Sequence, residues 1–356
     1  MTTAGARAAL ALAVFSGVFT LPARADTQEA VAAMKAGRYL EAAAELQAVV
    51  DRSPGYADGY FLLGHCMLKM RRTRDAELEF SRALRLDPAP PAYYAGLALA
   101  LTASGHWPQA IRAAGEGLSR TDDPRMRYTL LALRGYALSS LRRWNDAIQD
   151  FEAAQRIRSQ TWLLVFLGKA RFATGLYADA VVPLRQVLLI APDDPVVLRL
   201  LAECFLRQAA DEPDAVRKQF DYLQSLAYAQ RLSSLNPDDL EAVHLVGRAA
   251  LGAGRLDQAE NVFRHVLAVN PRQCYALANL GRTYIAAKRW DEAEAYLRNA
   301  SACAPRLTPV YESLGELYLE LGKPREAAAM FRRIEEIEPT RAQTEFPTTI
   351  PVFQPR

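Results

Sequence analysis

Cysteine and histidine are scarce, with four of each in 356 residues. Four scattered cysteines cannot frame a small disulfide-stapled domain, and four isolated histidines form no His/Cys metal cage. An excess of one charge is also missing. The 43 Lys and Arg residues face 40 Asp and Glu, a formal charge of +3. Nothing electrostatic therefore points to nucleic acid or an anionic membrane as the main partner. No G-x-S-x-G, H-E-x-x-H, C-x-x-C or phosphate-loop string occurs, and no glycine-rich turn follows a strand pattern. His65 and Cys66 are neighbours in sequence, but adjacent residues on a helix point apart, which does not suit a base and its nucleophile. These absences predict a chain with no cofactor, no metal and no catalytic residue. What is plentiful is Ala and Leu, which favours helix over sheet.

The N-terminus reads as a secretory signal peptide over residues 1–25. Arg7 supplies the positive start, Ala8 to Leu21 the apolar run, and Ala23-Arg24-Ala25 the small-residue cleavage site. The run is shorter than the roughly 20 residues a membrane span needs. No Cys follows the cleavage point to carry a lipid. No later window holds about 18 uninterrupted apolar residues, so no transmembrane segment is expected in the mature chain. Export follows as the expected destination, to the periplasm or beyond, after cleavage near Ala25.

Prolines at 237, 271, 305 and 339 recur every 34 residues, and others at 54, 88 and 192 end earlier helical stretches. Ahead of them lie two-helix units. In one, Leu280-Gly281, Tyr284, Trp290, Ala293, Leu297, Ala300 and Pro305 follow in order; in the next, Leu314-Gly315, Tyr318, Gly322, Ala327, Phe331 and Pro339 do so. This order resembles the tetratricopeptide repeat family, and the resemblance is specific because it recurs along the chain. It implies an all-α, right-handed α-solenoid of about nine helix-turn-helix repeats. The register places them near 26–56, 57–90, 91–124, 128–160, 161–194, 195–239, 240–273, 274–307 and 308–341, followed by a Pro-rich tail at 342–356.

Packing explains the pattern. Gly64, Gly168, Gly247, Gly281 and Gly315 let the first helix of a repeat approach its second closely. Ala76, Ala110, Ala147, Ala180, Ala259, Ala293 and Ala327 supply the facing small positions, and Phe80, Phe151, Phe263 and Phe331 fill space between neighbouring hairpins. Two repeats depart from this. The third has Ala98 at the glycine position, with Gly96 two residues early. The sixth has Ala202 there and about eleven extra residues around 209–219, which predict either a second helix lengthened at its start or a protruding loop.

In related repeat proteins the concave face of the first helices holds the ligand. Position by position, the second to fifth repeats then offer Phe61, Leu62, His65, Leu99, Tyr136, Trp162, Val165, Phe166, Lys169 and Phe172, a largely apolar and aromatic stretch. The sixth to eighth offer Arg199, Glu203, Arg207, Glu241, His244, Arg248, Tyr275, Asn279 and Arg282, a polar stretch with a basic bias, and Glu312, Glu316 and Glu320 form an acidic stripe in the ninth. Arg offers forked donors to carboxylates and Asn can bond a peptide backbone, so a peptide or partner helix with an acidic group fits this face. No repeat carries the Lys-Asn pair with which some relatives hold a terminal carboxylate. Trp107, Trp144 and Trp290 take the packing position of second helices; Trp162 takes a groove position. Cys274 and Cys303 lie where antiparallel helices bring their ends together, so a disulfide is open to them, whereas Cys66 and Cys204 read as buried apolar residues. The leading expectation is a non-catalytic protein interaction scaffold of an envelope or secretion-related complex. The alternative is a glycan or small-ligand module stacking on Tyr136, Trp162 and Phe166.

Overall fold

The computed structural model describes residues 25–339. The expected signal peptide, apart from Ala25, and the expected tail lie outside the described residues. Within them the fold is all-α: one 3-10 turn at Ala25–Thr27 and eighteen α-helices. The chain divides into two compact units, Met1–Pro192 and Asp193–Arg356.

The first unit holds five helix pairs: Gln28–Lys35 (α1) with Tyr39–Arg52 (α2), Ala57–Lys69 (α3) with Thr73–Leu86 (α4), Pro91–Ser104 (α5) with Trp107–Leu118 (α6), Pro124–Ser140 (α7) with Trp144–Ile157 (α8), and Thr161–Ala173 (α9) with Tyr177–Leu188 (α10). The second holds four: Pro195–Asp211 (α11) with Ala215–Leu235 (α12), Leu240–Gly252 (α13) with Leu256–Val269 (α14), Cys274–Ala286 (α15) with Trp290–Cys303 (α16), and Thr308–Glu320 (α17) with Pro324–Ile337 (α18). Each unit is a stack of such pairs, a helical-repeat fold of the solenoid class.

The small residues sit where packing requires them. A Cβ on Gly247 would stand 2.6 Å from Phe263, and one on Gly315 would stand 2.6 Å from Phe331, each on the second helix of the same pair. Ala76, Ala147, Ala180, Ala259 and Ala293 are fully buried, but it is Phe or Leu side chains, not these alanines, that stand nearest the glycines. Phe80 serves two contacts at once: it lies over Gly64 of its own pair and over Gly96 of the next, where a Cβ would come within 2.6 Å. The early glycine of the third repeat is thus explained by the preceding repeat's phenylalanine, while Ala98 fills the usual position at full burial.

The turns inside the pairs share one device. Eight of the nine contain a residue with left-handed backbone: Gly37, Arg71, Gly105, Arg142, Gly175, Gly254, Lys288 and Gly322. Glycine bears this conformation without steric cost, whereas the three cationic residues hold it against a penalty of about 1 kcal/mol each. The α11/α12 turn is the exception. There Asp214 caps α12 by accepting from the Arg217 amide at 2.8 Å. The extra residues have gone mainly into helix, since α12 runs to 21 residues and α11 to 17. Ser225 ties the long helix to its partner by donating to the Ala202 carbonyl at 2.8 Å.

Polar staples complete the pairs. Arg134 of α7 forks onto Asp150 of α8 through Nε to Oδ2 at 2.8 Å and Nη2 to Oδ1 at 2.7 Å. Cys274 at the start of α15 is bonded to Cys303 at the end of α16, with their Cα atoms 5.6 Å apart. Cys66 and Cys204 are free and buried, and burial pushes both thiols up to about 12, so neither is a nucleophile.

Candidate functional site

In the first unit, the predicted groove residues fall into three groups. Phe61 is no groove residue: it is 1% exposed, its ring stacked on Tyr93 at 5.1 Å and set against Phe80 at 5.6 Å. The α3 position that the register turns inward faces the next helix pair, and the side chain is large enough to be consumed by it. His65 is half-buried, and its imidazole is held down to about 4, first by burial and then by the nearby Lys69 charge. It is a neutral group at physiological pH.

Tyr136, Phe166 and Trp162 do come together. Tyr136 meets Phe166 edge to face at 5.2 Å, and Phe166 meets Trp162 at 6.3 Å. The Trp162 indole donates to Gln160 Oε1 at 2.6 Å, an oxygen that also accepts from the Tyr128 hydroxyl at 3.0 Å. Lys169 places its ammonium 5.4 Å from the Phe166 ring centre. The three rings are half-buried and pack on the buried clusters around Leu133 and Phe151. A shallow, open cavity of about 410 Å³ beside Trp162 is lined by Gln160, Thr161, Leu164 and Ile190.

In the second unit the predicted basic residues separate by partner. Arg199 is engaged: Nη2 sits 2.8 Å from Asp239 and Nη1 3.6 Å from Glu241. Asp239 also caps α13, accepting from the amides of Glu241 and Ala242. Arg248 is engaged as well, 2.9 Å from Glu203 on α11. Asn279 donates through Nδ2 to His244 Nε2 at 3.0 Å. His244 lies against Phe263 and is held down to about 4 by burial, with the Arg248 charge second. Arg199 and Arg248 therefore work first as staples between successive first helices, and neither presents unbalanced charge.

Arg282 differs. It is exposed on α15 and has no ion-pair partner among the described residues. Beside it opens a pocket of about 400 Å³ lined by Arg207, Arg248, Asn279 and Arg282, with Leu206, Tyr222, Leu251 and Ile285 as apolar walls and Glu316 on one side. Arg207 is likewise exposed and unpaired among the described residues. Four first helices, α11, α13, α15 and α17, contribute to it. Tyr222 comes from the second helix α12 and is the residue that groove positions alone do not find. The signal for it is the insertion: the lengthened start of α12 reaches α13, where Gln219 donates to the Ala253 carbonyl at 3.2 Å. Tyr222 covers Gly252 so closely that a Cβ there would collide with its ring. Of the acidic stripe, Glu316 reaches this pocket, and Glu320 is exposed at the end of α17.

Among the described residues no group of three or more His, Cys, Asp or Glu could hold a metal ion, and no helix is long and apolar enough to cross a membrane. Stacked helix pairs that present one face of first helices define an α-helical repeat protein. Family models described as tetratricopeptide repeat match residues 33–99 and 250–315, and another matches 308–341. The chain carries tetratricopeptide repeats over these stretches. Among solved structures it is similar to the C-terminal part of a TPR repeat-containing protein from Cytophaga hutchinsonii, at 15% identity over 71% of this chain and 99% of that one, with a TM-score of 0.53. MamA from Desulfovibrio magneticus matches at 19% identity over 52% of this chain and 97% of that one, TM-score 0.40. A thermophilic TPR protein of Thermus thermophilus matches at 22% identity over 52% and 95%, TM-score 0.41. No curated protein matches the sequence.

Proposed function

We propose that the protein is a non-catalytic interaction scaffold of the exported space, which holds an extended peptide or a partner's helix on the first helices of its second unit. The observation that carries this reading is the pocket shared by α11, α13, α15 and α17, where first-helix side chains converge around apolar walls and charge that is unpaired among the described residues. Export is supported by the apolar run Ala8 to Leu21 before Ala23-Arg24-Ala25, and by the Cys274–Cys303 bond, which suits an oxidising compartment. An envelope or secretion-related complex is the setting such a scaffold serves by analogy of fold. Glycan stacking on Tyr136, Trp162 and Phe166 has weaker support, since these rings are half-buried and packed edge to face on one another.

Site-specific photo-crosslinking in the native cell tests the scaffold. Probes at Arg248 and Asn279 on first helices are expected to trap one protein, while probes at Arg264 and Glu335 on second helices are not. Equal trapping from both faces, or none, refutes it. N-terminal sequencing of the mature protein should begin at Asp26; an intact Met1 in the cell extract refutes export by cleavage.

A further inference from the structure

We infer that the pocket built by the insertion of the sixth repeat binds a side-chain carboxylate of a partner segment, with a bulky apolar residue next to it. The inference rests on the protein-binding reading above and names the chemistry that reading leaves open.

Three observations carry it. The first is where the unbalanced charge lies. Arg199 and Arg248 are neutralised by Asp239, Glu241 and Glu203, whereas Arg207 and Arg282, on different helices, open onto the same cavity with no acidic partner among the described residues. Two forked cations aimed at one space fit a carboxylate, which can accept from both.

The second is the surface between them. Leu206, Leu251 and Ile285 stand beside the guanidinium groups, so a bare inorganic anion would leave apolar wall in contact with water. An acidic residue followed by a Leu- or Ile-sized one covers both kinds of surface. A cavity of about 400 Å³ takes one or two side chains and is too small for a whole helix.

The third is the fourth wall. Tyr222 is brought in by the lengthened α12, held there through Gln219 and seated over Gly252, where no side chain larger than hydrogen fits beneath the ring. The Arg282 charge bears on the Tyr222 phenol, which places the two groups in one local field. The extra residues of this repeat thus turn an open groove into a walled pocket. Glu316 lies at its side and opposes an incoming anion.

Isothermal titration of the full chain with the amide-capped peptide acetyl-Gly-Leu-Glu-Leu-Gly tests the proposal against its glutamine analogue and inorganic phosphate. The glutamate peptide is expected to bind about tenfold tighter than the glutamine peptide, and each of Arg207→Ala and Arg282→Ala to remove about that factor. Both arginines are exposed, so the substitutions leave the fold intact, which circular dichroism checks. Glu316→Gln should tighten binding, an outcome that a structural role for these residues does not produce. Raised salt should weaken binding. Equal affinity of the two peptides, indifference to both arginine substitutions, or phosphate binding as tightly as the glutamate peptide would overturn the proposal. Failure here with crosslinking still confined to first helices refutes the pocket chemistry alone; loss of that crosslinking pattern refutes the scaffold itself.

Discussion

One substitution, glycine to alanine, should have opposite effects at two helix positions in adjacent repeats of the first unit. At Gly115 in α6, a Cβ would meet only Arg134 Nη1 at 3.9 Å, an ordinary contact. Alanine there restricts the unfolded chain and favours helix, for a gain of about 0.5–1 kcal/mol. At Gly135 in α7, the same atom would stand 2.8 and 2.9 Å from two carbons of the Phe151 ring and 3.2 Å from Asp150 Cβ. Phe151 is fully buried in the cluster that includes Leu163 and Leu167, so its ring has nowhere to retreat. Overpacking of this kind costs about 1–3 kcal/mol, which outweighs the helix gain. Gly115→Ala should therefore raise the urea midpoint and Gly135→Ala lower it, followed by far-ultraviolet circular dichroism with an unchanged slope. The cause is checked by a double-mutant cycle: with Phe151→Leu in place, the cost of Gly135→Ala should shrink by at least about 1 kcal/mol. A stabilising Gly135→Ala, or a cost unchanged by Phe151→Leu, would refute the close-approach argument.

Other perturbations have equally definite outcomes. Arg134→Met strands the Asp150 carboxylate, whose side chain is 7% exposed, and should destabilise the protein by about 2–3 kcal/mol after allowance for the partly solvated arginine; adding Asp150→Leu should recover most of that loss in the same urea assay. Reduction of Cys274–Cys303, or Cys303→Ser, frees a loop closed across a separation of 29 residues, and should cost about 3–4 kcal/mol; an unmoved midpoint in reductant would show that the bond constrains nothing. His244 is held at about 4 when folded and returns to about 6.5 when unfolded, so the unfolded state takes up the proton first as pH falls. The neutral ring's contribution is full above pH 6.5 and is lost progressively down to about pH 4, a difference of up to about 3 kcal/mol. Stability measured across that window should lose about half its slope in His244→Gln, since His65 is held down to about 4 as well and keeps its share; an unchanged slope would exclude His244 as a source.

Much of this architecture was legible from spacing. The prolines at 34-residue intervals, the glycine in most first helices and the alanine in the second follow from packing that is local to a helix pair, so residues about sixteen apart carry the information. Gly247, Phe263, Gly315 and Phe331 are each found by the pattern, but the pattern set the glycines against alanines and the phenylalanines between neighbouring pairs, whereas each glycine meets the phenylalanine of its own pair. The candidate site was legible only as a set of positions. Phe61 has a groove position and a core environment, because the following helix pair covers it. Arg199 and Arg248 look like free cations until Asp239 and Glu203, 40 and 45 residues away, neutralise them, a pairing that spacing along one helix does not reveal.

The sequence alone determined the class of fold, the near-neutral charge and the absence of catalytic strings, because each depends on composition or on contacts between neighbours in a short repeat. It also marked the insertion around 209–219, but left open whether a loop or a longer helix resulted. Tertiary structure decided that point, and with it the pocket. Tyr222 reaches Gly252 because the lengthened α12 extends to α13, and Arg207 and Arg282 have no ion-pair partner among the described residues although Glu316 lines the same pocket. Burial and pairing are properties of the stack, set by residues several turns and a whole repeat away, and no single repeat's sequence contains them.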